Sequence, residues 1–299
     1  MEGLNGLFFF IVVEGVLPEE SLICQQGYYV QGGSMGIAIE KVLSDALSRQ
    51  DEDIEDVAPV YVSIVTEDEV EGDIYETIYE NVFMVDELYI QEASRGRTFQ
   101  TPHGIILSGW QPEGFHRDDL VEGFAVASHD EEFILEAVLP KHRPLSELSR
   151  LVEALPSVDY IVAALLSHYD DHTMMDEEAL SENTDKELMI ELPGSPRAAV
   201  ELLSQTRTIL LENGHVDIAV NSSDADCSIW VTEHKTLLIT TIQKQIHQKM
   251  KRLLDQHLEQ FEYLKTPANH LSHFHYRPSK SLTYHELVDT LLASGWEEV

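Results

Sequence analysis

An α+β or α/β fold predicts itself from three observations in this chain. Short β-branched and aromatic runs such as Leu7–Val13 and Val57–Thr66 read as strands. Segments with apolar residues spaced three and four apart alternate with them as helices. No period of 20–50 residues recurs, which excludes a solenoid. The expectation is a mixed sheet with helices, in two units, with a long amphipathic helix near the C-terminus.

In order, strands are expected at Gly6–Glu14 and Leu22–Gln31, joined as a hairpin across Leu17–Glu20. Ser34 then caps a helix to Arg49, whose inward side is Ile37, Ile39, Val42, Leu43, Ala46 and Leu47. After the third strand, Ile74, Tyr75, Ile78, Tyr79, Val82 and Phe83 recur at helical spacing, and a helix is expected. Strands follow at Leu88–Ala93, Gly104–Gly109 and Gly123–Ser128, with a short helix at Glu131–Val138 and another at Leu145–Leu155. Tyr160–His168 is a buried strand or short apolar helix.

The acidic, apolar-poor stretch 173–186 marks the expected boundary between a body, 1–172, and a second unit, 187–299. In the second unit a strand at Leu188–Leu192 precedes a helix at Arg197–Glu212, with Pro196 at its first position. Strands at Val216–Val220 and Ser228–Thr232 come next, and Thr236–Thr240 either extends the sheet or begins the long helix. One continuous helix is expected from Thr241 to Lys265, its stripe including Ile246, Met250, Leu253, His257 and Phe261, serving self-assembly. Phe274–Tyr276 is extended before Pro278, and Thr283 with Glu286 forms a capping box for a last helix to Ala293.

Charge is the strongest signal. The 299 residues carry a formal net charge of −35. It is segregated: positions 1–233 hold −36, positions 234–285 hold +5, and the last fourteen residues −4. Seven of the 14 histidines fall in that mildly basic segment. Such a surface repels a phosphate backbone, so direct nucleic-acid binding is not expected. No run reaches the ~20 apolar residues that span a bilayer, and the acid-flanked N-terminal run lacks the basic flank of a signal peptide. A cytoplasmic protein without membrane contact is expected. Cys24 and Cys227 stand far apart and suggest buried thiols, not a framework.

Catalytic motifs are missing. There is no GxSxG, HExxH or P-loop, and Gly32-Gly33-Ser34 reads as a turn. Asp224 and Asp226 beside Cys227 lack the basic flanks of a nuclease. No cofactor and no metal is expected. The residues that would ligate a metal are His168 and His172, four apart, and His273 and His275, which share one face of a strand with Arg277 beyond. Pairing of His273 and His275 with acids of the body is the simpler reading.

The leading functional expectation is therefore a non-enzymatic acidic protein that engages and blocks a basic, nucleic-acid-binding protein, as a DNA-mimic inhibitor of anti-restriction or anti-defence type would. Asp51, Glu52, Asp53, Glu55, Asp56, Glu67, Asp68, Glu69, Glu71 and Asp73 are the expected contact residues, on a homo-oligomer. The alternatives are a metal-dependent hydrolase or small-molecule enzyme built on the His-rich C-terminal unit, and a structural subunit of an assembly.

Overall fold

The computed structural model describes residues 7–17, 22–32, 35–49, 55–65, 81–91, 99–108, 116, 119–129, 131–141, 143–166, 185–192, 194–271, 273–278 and 284–299. Strands outweigh helices, 42% against 27%, so the protein is mostly β with short helices. This corrects the helix-rich α+β expectation.

The first sheet is built from β1 (Leu7–Leu17), β2 (Leu22–Gly32), β3 (Glu55–Val65) and β4 (Val82–Gln91). Its order is β3-β1-β2-β4, antiparallel throughout. Helix α1 (Met35–Arg49) packs on it. Alternation sends Phe9, Ile11 and Val13 into the core, against Tyr28, Ile39 and Val42. Val82 and Phe83, expected on a helix, open β4 instead, and positions 74–80 lie outside the described residues. Their strand propensity is satisfied by the free edge of β2.

A nine-stranded sheet follows. It comprises β6 (Gly123–His129), β7 (Glu132–Val138), β8 (Tyr160–Leu165), β9 (Lys186–Glu191), β10 (Val216–Ser222), β11 (Cys227–Val231), β12 (Thr236–Thr241), β13 (Gln260–Phe261) and β15 (Glu297–Glu298). The order is β13-β6-β7-β12-β11-β10-β8-β9-β15, with β13 parallel to β6. Helices α2 (Pro144–Glu153), α3 (Pro196–Gln205), α4 (Lys244–Leu254) and α6 (Tyr284–Ala293) contribute to its core through Leu148, Leu203, Met250 and Leu291. A short helix, α5 (Pro267–His270), precedes the last ribbon strand.

One further expectation fails here. Glu131–Val138 is not helical: it is β7, paired on both sides, to β6 and to β12. Two neighbouring strands override a local pattern compatible with either state. β8 and β9, which precede and follow positions 167–184, pair with each other in one sheet.

The long helix is the largest correction. It ends at Leu254, and Asp255 is its C-cap. The chain turns so that Gln260 and Phe261 add to β6, and the amide of Phe124 donates to the carbonyl of Glu259 at 2.9 Å. The reason lies in the stripe. Met250, Leu254 and Leu258 enter the nine-stranded core, whereas Phe261 and Leu264 pack with Leu107, Leu120 and Val138 in a separate cluster. A straight rod cannot serve both. His257 lies in the turn and Phe261 in a strand, so neither belongs to a helical assembly face. Leu254→Ala is expected to cost about 2–5 kcal/mol by urea unfolding. Lys251→Ala, at a partly exposed ion pair with Asp255, should cost under about 1 kcal/mol.

Between the two sheets runs a ribbon of β5 (Ile105–Leu107) and β14 (His273–His275). Ile106, Phe274 and Tyr276 pack into the first core, and Leu107 and Leu271 into the separate cluster. This ribbon carries the histidines to the site.

Candidate metal centre

The β11–β12 hairpin closes through Thr232-Glu233-His234-Lys235. The amide of Lys235 donates to the Thr232 carbonyl at 2.8 Å, and Lys235 has φ +58. This tight turn projects His234 from the nine-stranded sheet. His273 and His275 come from β14, two residues apart and on one face. One ligand nitrogen from each of the three rings lies within 4.8 Å of the others.

Each ring is oriented from behind. His234 Nδ1 lies 2.9 Å from Glu233 Oε1. His273 Nδ1 faces the Leu271 carbonyl at 2.8 Å, and His275 Nδ1 faces the Gly214 carbonyl at 2.5 Å. Carbonyl and carboxylate oxygens only accept, so each Nδ1 donates and each Nε2 of a neutral ring holds a lone pair. Yet His273 Nε2 and His275 Nε2 stand only 3.2 Å apart. Two lone pairs at that distance repel unless a cation lies between them.

A proton is a poor candidate for that cation. Burial pushes the His275 imidazole down to about 3, and burial likewise lowers His273, against the hydrogen bond to Leu271. A divalent ion fits better. Zinc–nitrogen bonds of about 2.0–2.1 Å at a tetrahedral angle place ligand nitrogens about 3.3 Å apart. Only His234, at the partly exposed tip of its turn, must close further.

Behind His234 sits a pair of carboxyls. Asp217, at the start of β10, accepts from the Glu233 amide through Oδ1. Burial, then the Glu233 carboxyl beside it, pushes Asp217 up to about 8. Burial opposes ionisation of Glu233 too, but hydrogen bonds from His234 and Asp217 outweigh it and hold that carboxyl well below its usual range. The pair shares one proton, held by Asp217, and Glu233 is the anion that His234 meets.

The loop beneath is pinned by two glycines. Tyr276 donates its amide to the Gly104 carbonyl at 2.8 Å, and Gly214 donates to the Tyr276 carbonyl at 3.0 Å. A Cβ on Gly104, whose φ is +97, would meet Gly214 N and Lys235 Cε, both at 2.7 Å. Backbone therefore approaches backbone directly under His275.

Of the sequence-expected ligands, the structure brings His273 and His275 together. His168 and His172 lie outside the described residues. His234 was missed. Its signal was a histidine in a four-residue turn between two strands, but its partners are 39 and 41 residues away in sequence. Cys227 takes no part: burial pushes its thiol up to about 12.

The expected acidic contact residues Asp51, Glu52, Asp53, Glu67, Asp68, Glu69, Glu71 and Asp73 lie outside the described residues, as does the side chain of Glu55. Asp56 turns inward, to His103 at 3.0 Å and Lys141 at 2.9 Å. His103 and Lys141 line a cavity of about 340 Å³ with Arg207, Glu212 and Ser149. Arg207 pairs with Glu212 at 2.6 Å, so the cavity's Lys, Arg and His are all met by carboxylates.

Three imidazoles converge in this β-rich protein, each held by an acceptor on its far side, in a group that could hold a metal ion. Family models, curated proteins and solved structures yield no match to this chain, so the particular reading rests on its own geometry. Among the described residues no helix is long and apolar enough to cross a membrane.

Proposed function

We propose that the protein is a metal-dependent hydrolase whose zinc-class ion is held by Nε2 of His234, His273 and His275. The facing Nε2 atoms of His273 and His275 carry this reading, since both rings have already committed their Nδ1–H to carbonyls. Imidazole donors suit zinc and its neighbours, and three protein ligands leave a coordination position open. When bound, such an ion lowers the pKa of its water to about 7 and supplies a nucleophile. The chain's own residues do the rest. Leu271 and Gly214 carbonyls fix two rings, Glu233 fixes the third, and Asp217 retains the proton that lets two buried carboxyls adjoin.

Chelator-treated protein titrated calorimetrically with zinc should bind one equivalent with sub-micromolar affinity. The cobalt form should show the intense visible bands of a four-coordinate site, and hydrolysis of p-nitrophenyl acetate should stop on chelation. An absence of stoichiometric zinc binding would falsify the reading; binding without turnover would leave a metal protein that is not a hydrolase.

A second reading is favoured by charge alone. A net −36 over positions 1–233 suits engagement of a basic protein. Capture of such a partner at low salt, released by DNA, supports it; capture indifferent to both salt and DNA counts against it. The self-assembly expectation loses its helix face, because Met250 is buried in the core.

A further inference from the structure

We propose that Lys235 is a positioning residue for the metal centre, coupling two of its three ligands through one buried side chain; this rests on the metal reading above. Lys235 follows His234 directly in the hairpin turn, and only 3% of it is exposed. Its Nζ donates to the Asn213 carbonyl at 2.5 Å and the Val216 carbonyl at 3.3 Å. These two carbonyls bracket Gly214, whose own carbonyl accepts from His275 Nδ1 at 2.5 Å. The backbone of Lys235 thus fixes the turn bearing His234, while its ammonium fixes the loop that orients His275.

The placement is costly unless it serves something. Burying an ammonium carries a desolvation penalty. A left-handed backbone at a lysine, with φ +58, adds strain of its own. An apolar residue would fill the space without the first cost, and asparagine or glycine would avoid the second. Lysine alone combines the reach along the Gly104 backbone with donors for two carbonyls. The ammonium also lies in the field of Asp217, Glu233 and Glu212. Displacing it frees both carbonyls and lets the 213–216 loop drift, and His275 loses the acceptor that sets its tautomer.

Outer groups of this kind change metal affinity by about 10–100-fold. The experiment compares wild type with Lys235→Met and Lys235→Arg, each chelator-treated and titrated with zinc, with visible spectra of the cobalt forms. Lys235→Met is expected to bind zinc about 10–100-fold more weakly, with a displaced, weakened cobalt band, and Lys235→Arg to recover part of both. Circular dichroism and urea unfolding of the metal-free proteins separate a folding defect from a site defect. Should Lys235→Met not fold, Lys235→Gln, which keeps a donor but not the charge, takes its place with the same expected direction. A folded variant with wild-type affinity and an unchanged cobalt spectrum overturns the inference while leaving the metal reading intact. Failure of wild type itself to bind zinc overturns both.

Discussion

Gly214→Ala should disable the metal centre and destabilise the protein by about 3 kcal/mol, the upper end of overpacking costs. The added Cβ would run into the Gly104 carbonyl and stand 3.0 Å from Tyr276 N. Neither obstacle is a flexible side chain. Gly104 is held at φ +97 with Gly214 N and Lys235 pressed on it, and Tyr276 is fully buried. The strain falls on the carbonyl that orients His275, so zinc affinity should fall at least about 10-fold alongside the urea midpoint. Gly194→Ala is the control. Its φ is +77, but nothing lies within 4 Å of the added methyl, leaving only a backbone cost of about 1–2 kcal/mol. Equal behaviour of the two variants in zinc titration would contradict the arrangement.

The same residues show what the sequence could and could not reveal. Local signals were readable. The Leu7–Val13 run, Pro196 at the first helical position, and the paired strands around Val216–Val220 and Ser228–Val231 all occur where the pattern put them. What misled was any segment whose apolar spacing suited two states. Glu132–Val138 and Val82–Phe83 became strands because sheet edges were available, a fact held by distant residues. The Thr241–Lys265 stripe was continuous in sequence but is split between two hydrophobic clusters.

The site was half legible, for a related reason. The i, i+2 spacing of His273 and His275 marks a shared strand face from sequence alone. Completing the set needs His234, and that requires knowing that β14 pairs with β5 and lies beside the β11–β12 turn. The paired glycines, 104 and 214, carry no local motif at all. Their meaning is the contact between them. Overall charge was legible too, but it bears on solubility and association and does not specify a fold.

Loss of His275 should give the largest functional effect. Structural zinc sites bind with about 10–16 kcal/mol across four ligands, so deleting one imidazole costs on the order of 3 kcal/mol, more than 100-fold in affinity. His275→Ala should therefore lose zinc binding and metal-dependent turnover while folding normally. Its metal-free stability should also respond differently to pH. Burial holds His275 neutral down to about 3 in the folded chain, whereas an exposed imidazole titrates near 6.5. The unfolded chain therefore takes up the proton first. Metal-free wild type keeps its full stability with respect to this group above about pH 6.5. It then loses about 1.4 kcal/mol per unit as pH falls, and the loss saturates near the folded value. Asp217, pushed up to about 8 when folded, contributes a slope of opposite sign between its ordinary range and that value. It is common to both proteins, so the difference between them isolates the imidazole. Between pH 6 and 5 the urea-derived stability of wild type should fall more steeply than that of His275→Ala, by about 1 kcal/mol per unit. Saturating zinc should preserve this slope in wild type, because the bound ring cannot take up the proton that the unfolded chain does. Parallel pH curves without metal would mean that His275 is not held neutral by burial, and the argument that its lone pair faces that of His273 would go with it.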